Sequence, residues 1–320
     1  MKAPTRNWAA EVRAGDVRAL SRALTAVENG EAEAQSLLRE LFPFTGRAWR
    51  IGITGAAGTG KSTLVSCLAA HYRAQKKSLG VIAIDPSSPF TGGAILGDRI
   101  RMNTHATDDG VFIRSMASRG AWGGLSQAAA DAALVLDAAG RDVIIVETVG
   151  VGQDEIEIVR VADCTLVVVT PGSGDEVQSL KAGLMEIADI FVLNKADNPE
   201  TDRFEQQLLS ALQLAPPREG WNPKAVRTVA TEDRGVVELI SEIDAFRQSY
   251  AGSKQRQERQ VAYWKSWLLR SLQHHVTEQA LQNGRTLDEL AAGVAARHKE
   301  PHKAAEELMS ALGFGWKQSS

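Results

Sequence analysis

The run GAAGTGKST, Gly55 to Thr63, constrains the chain more than any other stretch. It follows the β-branched segment RIGIT and precedes the helix-forming LVSCLAAHY, so it reads as strand, tight glycine loop and helix. Its Gly-x-x-x-x-Gly-Lys-Ser spacing is that of a phosphate-binding loop. The glycines permit backbone angles that aim several N–H groups at one anion, and the following helix points its positive end the same way. Gly55, Ala56, Ala57, Gly58, Thr59, Gly60, Lys61, Ser62 and Thr63 are therefore expected to hold a nucleotide polyphosphate. Lys61 would reach the β- and γ-phosphates, and the Ser62 hydroxyl would coordinate Mg2+.

The rest of the pattern supplies a sheet for such a loop. Seven short runs, RIGIT, SLGVIAID, VFIRS, DVIIVE, CTLVVVT, DIFVLN and AVRTVA, alternate with helical stretches between residues 46 and 250. This alternation predicts an α/β P-loop NTPase whose mostly parallel sheet is covered by helices on both faces. Ligands on such sheets bind at the C-terminal strand ends, where every polar motif of this chain falls. Residues 1–45 predict an N-terminal helical extension. Leu20, Leu24 and Val27 recur at helical spacing before Asn29-Gly30, and Ala34, Leu37, Leu38 and Leu41 share a face. Residues 251–320 predict a C-terminal helical region. Its long first helix puts Val261, Trp264, Trp267, Leu268, Leu272 and Val276 along one broad side and stops at Asn283-Gly284. Thr286 and Glu289 suggest a capping box for the next helix, and Pro301 suits the first turn of the last.

The tetrapeptide NKAD, Asn194 to Asp197, follows the strand DIFVL. The Asp197 carboxylate can accept from both N1–H and the 2-amino group of guanine. Adenine has neither donor, and a site built on such bonds discriminates by roughly 10⁴-fold. The Lys195 stem is expected to lie against the base, and Asn194 to brace the loops. In VATED, Val229 to Asp233, a backbone N–H is expected to meet guanine O6, that of Ala230 first, with Val229 and Thr231 beside it. GTP and GDP are thus the expected ligands.

The stretch ETVGVGQDE, from Glu147, has the acid and glycine of a γ-phosphate-sensing loop, with Gly150 offering its N–H. Asp85, in AIDPSSP at the end of the second strand, would join Glu147 and Ser62 near the Mg2+. Val151 stands where switch GTPases place a water-orienting glutamine, so hydrolysis by the lone protein should be slow. In GDRIRM, Arg101 is expected to stabilise transition-state charge, with Asp98 holding it. The segment from Gly174 to Ile190 is polar at first, with Lys181, and apolar later, which suits a switch between two arrangements.

Charge and composition narrow the partners. A net charge of −3 gives no reason to expect nucleic acid or an anionic membrane as partner. Runs such as VIIV and LVVV fall far short of the roughly 18 apolar residues that span a bilayer. The start, MKAPTRNWAAEVRAGD, lacks an apolar signal core, so a cytoplasmic, reducing setting is expected. The two cysteines, Cys67 and Cys164, have no Cys-x-x-Cys partner. Of the six histidines, His298 and His302 are four apart, but Pro301 intervenes and no acidic or cysteine ligand is spaced to help. That argues against a nickel-delivering maturation GTPase. NKAD argues against a small-molecule P-loop kinase.

Taken together, GAAGTGKST, AIDPSSP, GGAILGDRIRM, SRGAWGG, ETVGVGQDE and GDEVQSLKAGLMEIADIFVLNKAD resemble, in order, the MeaB/ArgK family of P-loop GTPases, which includes methylmalonic aciduria type A proteins. The likeness extends from the N-terminal helix to the helical tail. Ala57 replaces a usual proline, Asp154 a usual serine and Val229 the serine of the guanine loop. The resemblance implies a G-protein chaperone that binds an adenosylcobalamin-dependent acyl-CoA mutase, usually methylmalonyl-CoA mutase, gates its cofactor loading and protects it. It also implies a homodimer formed through the C-terminal helices.

Overall fold

The computed structural model describes residues 7–86, 108–118, 127–148, 158, 161–172, 185–214 and 220–314. The chain divides into two compact units, residues 1–261 and 262–320.

The first unit is built on seven strands: β1 (Trp49–Thr54), β2 (Leu79–Pro86), β3 (Val111–Ser118), β4 (Val143–Glu147), β5 (Cys164–Val169), β6 (Ile190–Leu193) and β7 (Lys224–Arg227). They run in the order β3-β2-β4-β1-β5-β6-β7, and every pairing is parallel. All residues of β4, β5 and β6 are buried, which is why these segments read as unbroken apolar runs rather than alternating ones. The chain leaves β1 toward β2 on one side, while β5, β6 and β7 extend the sheet on the other. A parallel sheet opens a crevice at its C-terminal edge where its winding reverses in this way. The loop after β1 lies there.

Helices α4 (Lys61–Ala74) and α7 (Val236–Tyr250) cover one face. Leu64, Leu68, Leu239 and Phe246 pack on Ile51, Ile53 and Ile145 of the strands. Phe204 and Leu208 of α6 (Thr201–Leu214) pack on Val167, Phe191 and Leu193. Helix α5 (Gln127–Ala138) is buried on nearly every side. A helix apolar all round needs cover all round. The sheet supplies one part, and α1 (Trp8–Arg13), α2 (Val17–Asn29) and α3 (Ala32–Leu41) supply the rest. Leu20, Leu24 and Val27 point inward as their spacing predicts, and Gly30 closes α2 in the left-handed region at φ 68°.

Two buried carboxylates fix the lower parts of this unit. Asp137 accepts the N–H groups of Gly46, Arg47 and Ala48 at 2.6, 3.1 and 3.0 Å, which sets the entry of the chain into β1. Asp189 precedes β6 and accepts from Arg259 Nη1 and Nη2 at 3.0 and 2.7 Å, and from the Thr165 N–H at 2.9 Å. The Asp189 side chain is 2% exposed. Arg259→Ala would leave that charge with a single neutral donor, and one-sided removal of a buried pair costs about 3 kcal/mol or more. Urea unfolding should register this loss. Arg259→Met combined with Asp189→Asn should lose clearly less than the sum of the single changes.

The strand expected over AVRTVA ends at Arg227. Val229 instead makes an isolated antiparallel bridge with Arg234, and Ala230–Glu232 form a 3-10 turn.

Helix α8 (Lys254–Gln282) spans the division between the units, and α9 (Gly284–Ala295) and α10 (Pro301–Ala311) pack together in the second. Pro301 opens α10, and Glu300 caps it by accepting from the His302 and Lys303 N–H groups. The capping box expected at Thr286 does not form. Asn283 takes the N-cap position, so α9 begins at Gly284, Thr286 falls inside its first turn, and Glu289 pairs with Arg285 at 3.0 Å. Val261, Leu268 and Leu272 are exposed in this chain, while Trp264 and Trp267 meet with ring centroids 6.1 Å apart.

Candidate nucleotide site

The loop after β1 has the conformation its glycines foretell. Gly55, Gly58 and Gly60 all have positive φ, at 138°, 82° and 91°. Two of them are also required by space. A Cβ on Gly55 would lie 2.1 Å from the Val168 carbonyl oxygen, and one on Gly60 2.4 Å from Asn194 Nδ2. Lys61, at the start of α4, is buried, and its Nζ donates to the Gly55 and Ala56 carbonyls at 2.6 and 2.9 Å. The ammonium is thus held across the loop. Thr59 closes the turn through Oγ1 to the Ala56 carbonyl at 3.0 Å, while Ala57 and Gly58 are exposed at its tip and Thr63 is half-buried on α4.

Ser62 and Glu147 come together from α4 and the end of β4. Ser62 Oγ donates to Glu147 Oε1 at 2.7 Å, and both residues are buried. One registered level of the sheet contains Ile53, Ala83 and Glu147, and Asp85 lies two residues beyond Ala83 on β2. The Ser62 hydroxyl and the Glu147 carboxylate, side by side next to a phosphate-binding loop, are the hard donors that Mg2+ prefers, so these residues fit that ion.

The residues after β6 bind the loop from the other side. Asn194 is buried; its Nδ2 donates to the Thr59 carbonyl at 2.8 Å. Its Oδ1 accepts from Thr228 Oγ1 and from the Ala230 N–H, each at 3.1 Å. One amide thus ties the phosphate loop to the loop after β7. Lys195, at φ 57°, reaches over the same loop, its Nζ donating to the Gly58 carbonyl at 2.9 Å. Asp197 is exposed on the turn, which is pinned by Ala196 N–H to the Thr228 carbonyl and Asn198 N–H to the Lys195 carbonyl, both at 3.0 Å. The Ala230 N–H, expected to face a base, donates to Asn194 because that side chain caps the 3-10 turn. Thr231, exposed, follows it.

Asp98, Arg101, Gly150 and Lys181 lie outside the described residues. Sequence spacing missed several residues that shape the site. Thr54 and Thr148, both buried, join their hydroxyls at 2.9 Å across β1 and β4. Cys67 and His71 of α4 contact the 229–233 loop through Sγ to the Ala230 carbonyl at 3.1 Å and Nε2 to Asp233 at 2.9 Å. The only sequence sign of the latter pair was their separation of one helical turn.

Known proteins agree with this geometry. The family model described as methylmalonyl-CoA mutase-associated GTPase MeaB matches residues 20–285. A protein of Pyrococcus abyssi named as a GTPase is 46% identical over 94% of each chain. GTPase ArgK of Escherichia coli is 37% identical over 85% of each chain. The mouse methylmalonic aciduria type A homolog is 33% identical over 72% of this chain and 56% of its own. The solved structure of an LAO/AO transport system kinase superposes with a TM-score of 0.71 at 28% identity, covering 96% of each chain. Matched by the family model over residues 20–285 and 46% identical to a relative over 94% of its length, the chain belongs to the MeaB/ArgK family of P-loop GTPases.

Proposed function

We propose that this GTPase is a timer for an adenosylcobalamin-dependent acyl-CoA mutase, with methylmalonyl-CoA mutase the foremost partner, gating cofactor loading and protecting the loaded enzyme. The observation that carries the reading is the match to a mutase-associated GTPase model over residues 20–285, on a chain that keeps the phosphate and guanine motifs together. The transport-kinase name belongs to the solved relative, and NKAD speaks for guanine here. Among the described residues no group of three or more His, Cys, Asp or Glu could hold a metal, which gives no support to nickel delivery.

In this reading the phosphates lie in the loop of residues 55–63, the loop N–H groups hold the anion, and Lys61 carries charge to the γ-phosphate. Ser62, Asp85 and Glu147 would hold Mg2+, which when bound neutralises phosphate charge. Asp197 accepts from the base edge, and the 230–232 turn lies toward O6. Gly150 senses the γ-phosphate. Arg101, steadied by Asp98, adds charge in the transition state. Val151 cannot orient water, so the intrinsic rate is slow and the partner supplies what is missing. Residues 174–190 relay the contact. Supporting that relay, Ile187 is buried and Met185 packs beside it on the sheet face of Phe191. The exposed apolar residues of α8 support a homodimer through the C-terminal helices. No helix among the described residues is long and apolar enough to cross a membrane, and we place the protein in the cytoplasm.

The test is GTP turnover with and without purified mutase. Ordering of a site by a GTPase-activating partner can be worth several decades, so stimulation of at least ~10-fold is expected. Absence of both stimulation and a co-purifying complex would reject the mutase as partner.

A further inference from the structure

We propose that Cys67 and His71 are positioning residues for guanine recognition, fastening the 229–233 loop to the phosphate-binding helix. This rests on the reading of that loop as one wall of the base pocket. Cys67 and His71 are four residues apart on α4, so they present to the same side one turn apart. Cys67 Sγ donates to the Ala230 carbonyl at 3.1 Å. His71 Nε2 lies 2.9 and 3.0 Å from the two carboxylate oxygens of Asp233. Ala230 begins the 3-10 turn, and Asp233, left-handed at φ 57°, ends it. Both ends of the turn are therefore held by α4. From the opposite side Asn194 Oδ1 holds the Ala230 N–H. The Ala230 peptide groups are thus gripped between the guanine motif and the helix that begins at Lys61.

The chemistry of the thiol agrees with a donor role. Burial and the nearby Asp233 carboxylate push the Cys67 thiol up, which favours the protonated form that can donate. Cys67, His71 and Asp233 do not form a metal-holding group, since among the described residues no three such side chains are gathered closely enough around one point. The consequence is mechanical. The phosphate end and the base end of the pocket are set by one rigid helix, so loosening the clamp should weaken nucleotide retention without altering the charges that act on the γ-phosphate.

The experiment compares wild type, His71→Gln, and the pair Cys67→Ala with His71→Ala. Its readouts are the release rate of fluorescent methylanthraniloyl-GDP and steady-state GTP hydrolysis. Two lost hydrogen bonds should speed release and raise KM about tenfold in the pair variant, with kcat at saturating GTP within about twofold. His71→Gln, which keeps a donor for Asp233, should recover part of the effect. Release and KM equal to wild type, or a fall in kcat at unchanged KM, would overturn the clamp. Should the pair variant fail to fold, N-ethylmaleimide labelling of the wild type decides. Cys164 is fully buried, so labelling reports the half-buried Cys67. GDP should slow it by about fivefold or more, since thiol reactivity follows access. No GDP effect overturns the proposal. A wild type that binds no GDP would instead overturn the pocket reading, and the clamp with it.

Discussion

Asp197→Asn is expected to make guanine nucleotides poor ligands and xanthine nucleotides good ones. The carboxylate is exposed, on a turn held by Ala196 and Asn198 backbone bonds, so the substitution changes hydrogen bonding without disturbing packing. A surface change of this kind alters stability by no more than about 0.5 kcal/mol. An ionised carboxylate offers only acceptors, which suits the N1–H and 2-amino donors of guanine. Asparagine replaces one acceptor by an N–H donor. That donor is wasted on guanine and meets the 2-oxo group of xanthine. Sites built to hydrogen-bond a ligand reject the mismatched analogue by ~10⁴-fold, so relative preference should swing by a factor of that order. Competition of GDP and XDP against labelled nucleotide measures it directly. An unchanged preference for GDP would show that the base edge is read elsewhere. The clamp variants provide a contrast: they should weaken GDP and XDP alike, because they move the wall of the pocket rather than its donor pattern.

The sheet was legible because two-sided burial imposes its own signature. Runs such as VIIVE and CTLVVV have no polar face to hide, and glycine-rich turns separate them from the helices. The phosphate loop was legible because Gly55 and Gly60 have no substitute where a carbonyl and an amide crowd the Cβ position. The end of AVRTVA was not. Val226 to Val229 are rich in the β-branched residues a strand favours, yet Thr228 turns its hydroxyl to Asn194 and Val229 pairs with Arg234 rather than continuing along β6. Those partners are tertiary, and local propensity cannot weigh them. Asn283-Gly284 does end the long helix at Gln282, but the capping box expected at Thr286 failed for a different reason. Asn-Gly is a strong stop signal, but a single N-cap asparagine can end one helix and begin the next, which displaced the expected cap from Thr286. The clamp was invisible because its contacts join residues 163 and 162 apart in the chain, and a spacing of four on α4 says only that two side chains share a face. The role of the N-terminal helices became clear only from α5, whose all-round burial demands a cover that the sheet alone does not provide.

The largest expected loss of rate is that of Lys61→Ala. Lys61 lies at the start of α4, 6% exposed, with its Nζ bonded to the Gly55 and Ala56 carbonyls. Those bonds fix the ammonium in advance of the reaction. A charge already in place costs no reorganisation when negative charge develops on the transferring phosphoryl oxygens, and such a group contributes about 2.7–4 kcal/mol, or 10²–10³ in rate. Alanine removes the charge and also the donor that closes the loop over two carbonyls, so nucleotide affinity should fall as well. Single-turnover hydrolysis at saturating GTP separates the two effects, since affinity no longer enters. Glu147→Gln tests the other half of the site. Glutamine still offers an oxygen to Ser62 Oγ but loses the negative charge, so its defect should shrink as Mg2+ is raised, whereas that of Lys61→Ala should not. A Lys61→Ala protein that hydrolyses at full rate would place the charge on the γ-phosphate elsewhere, with Arg101 the first residue to substitute next.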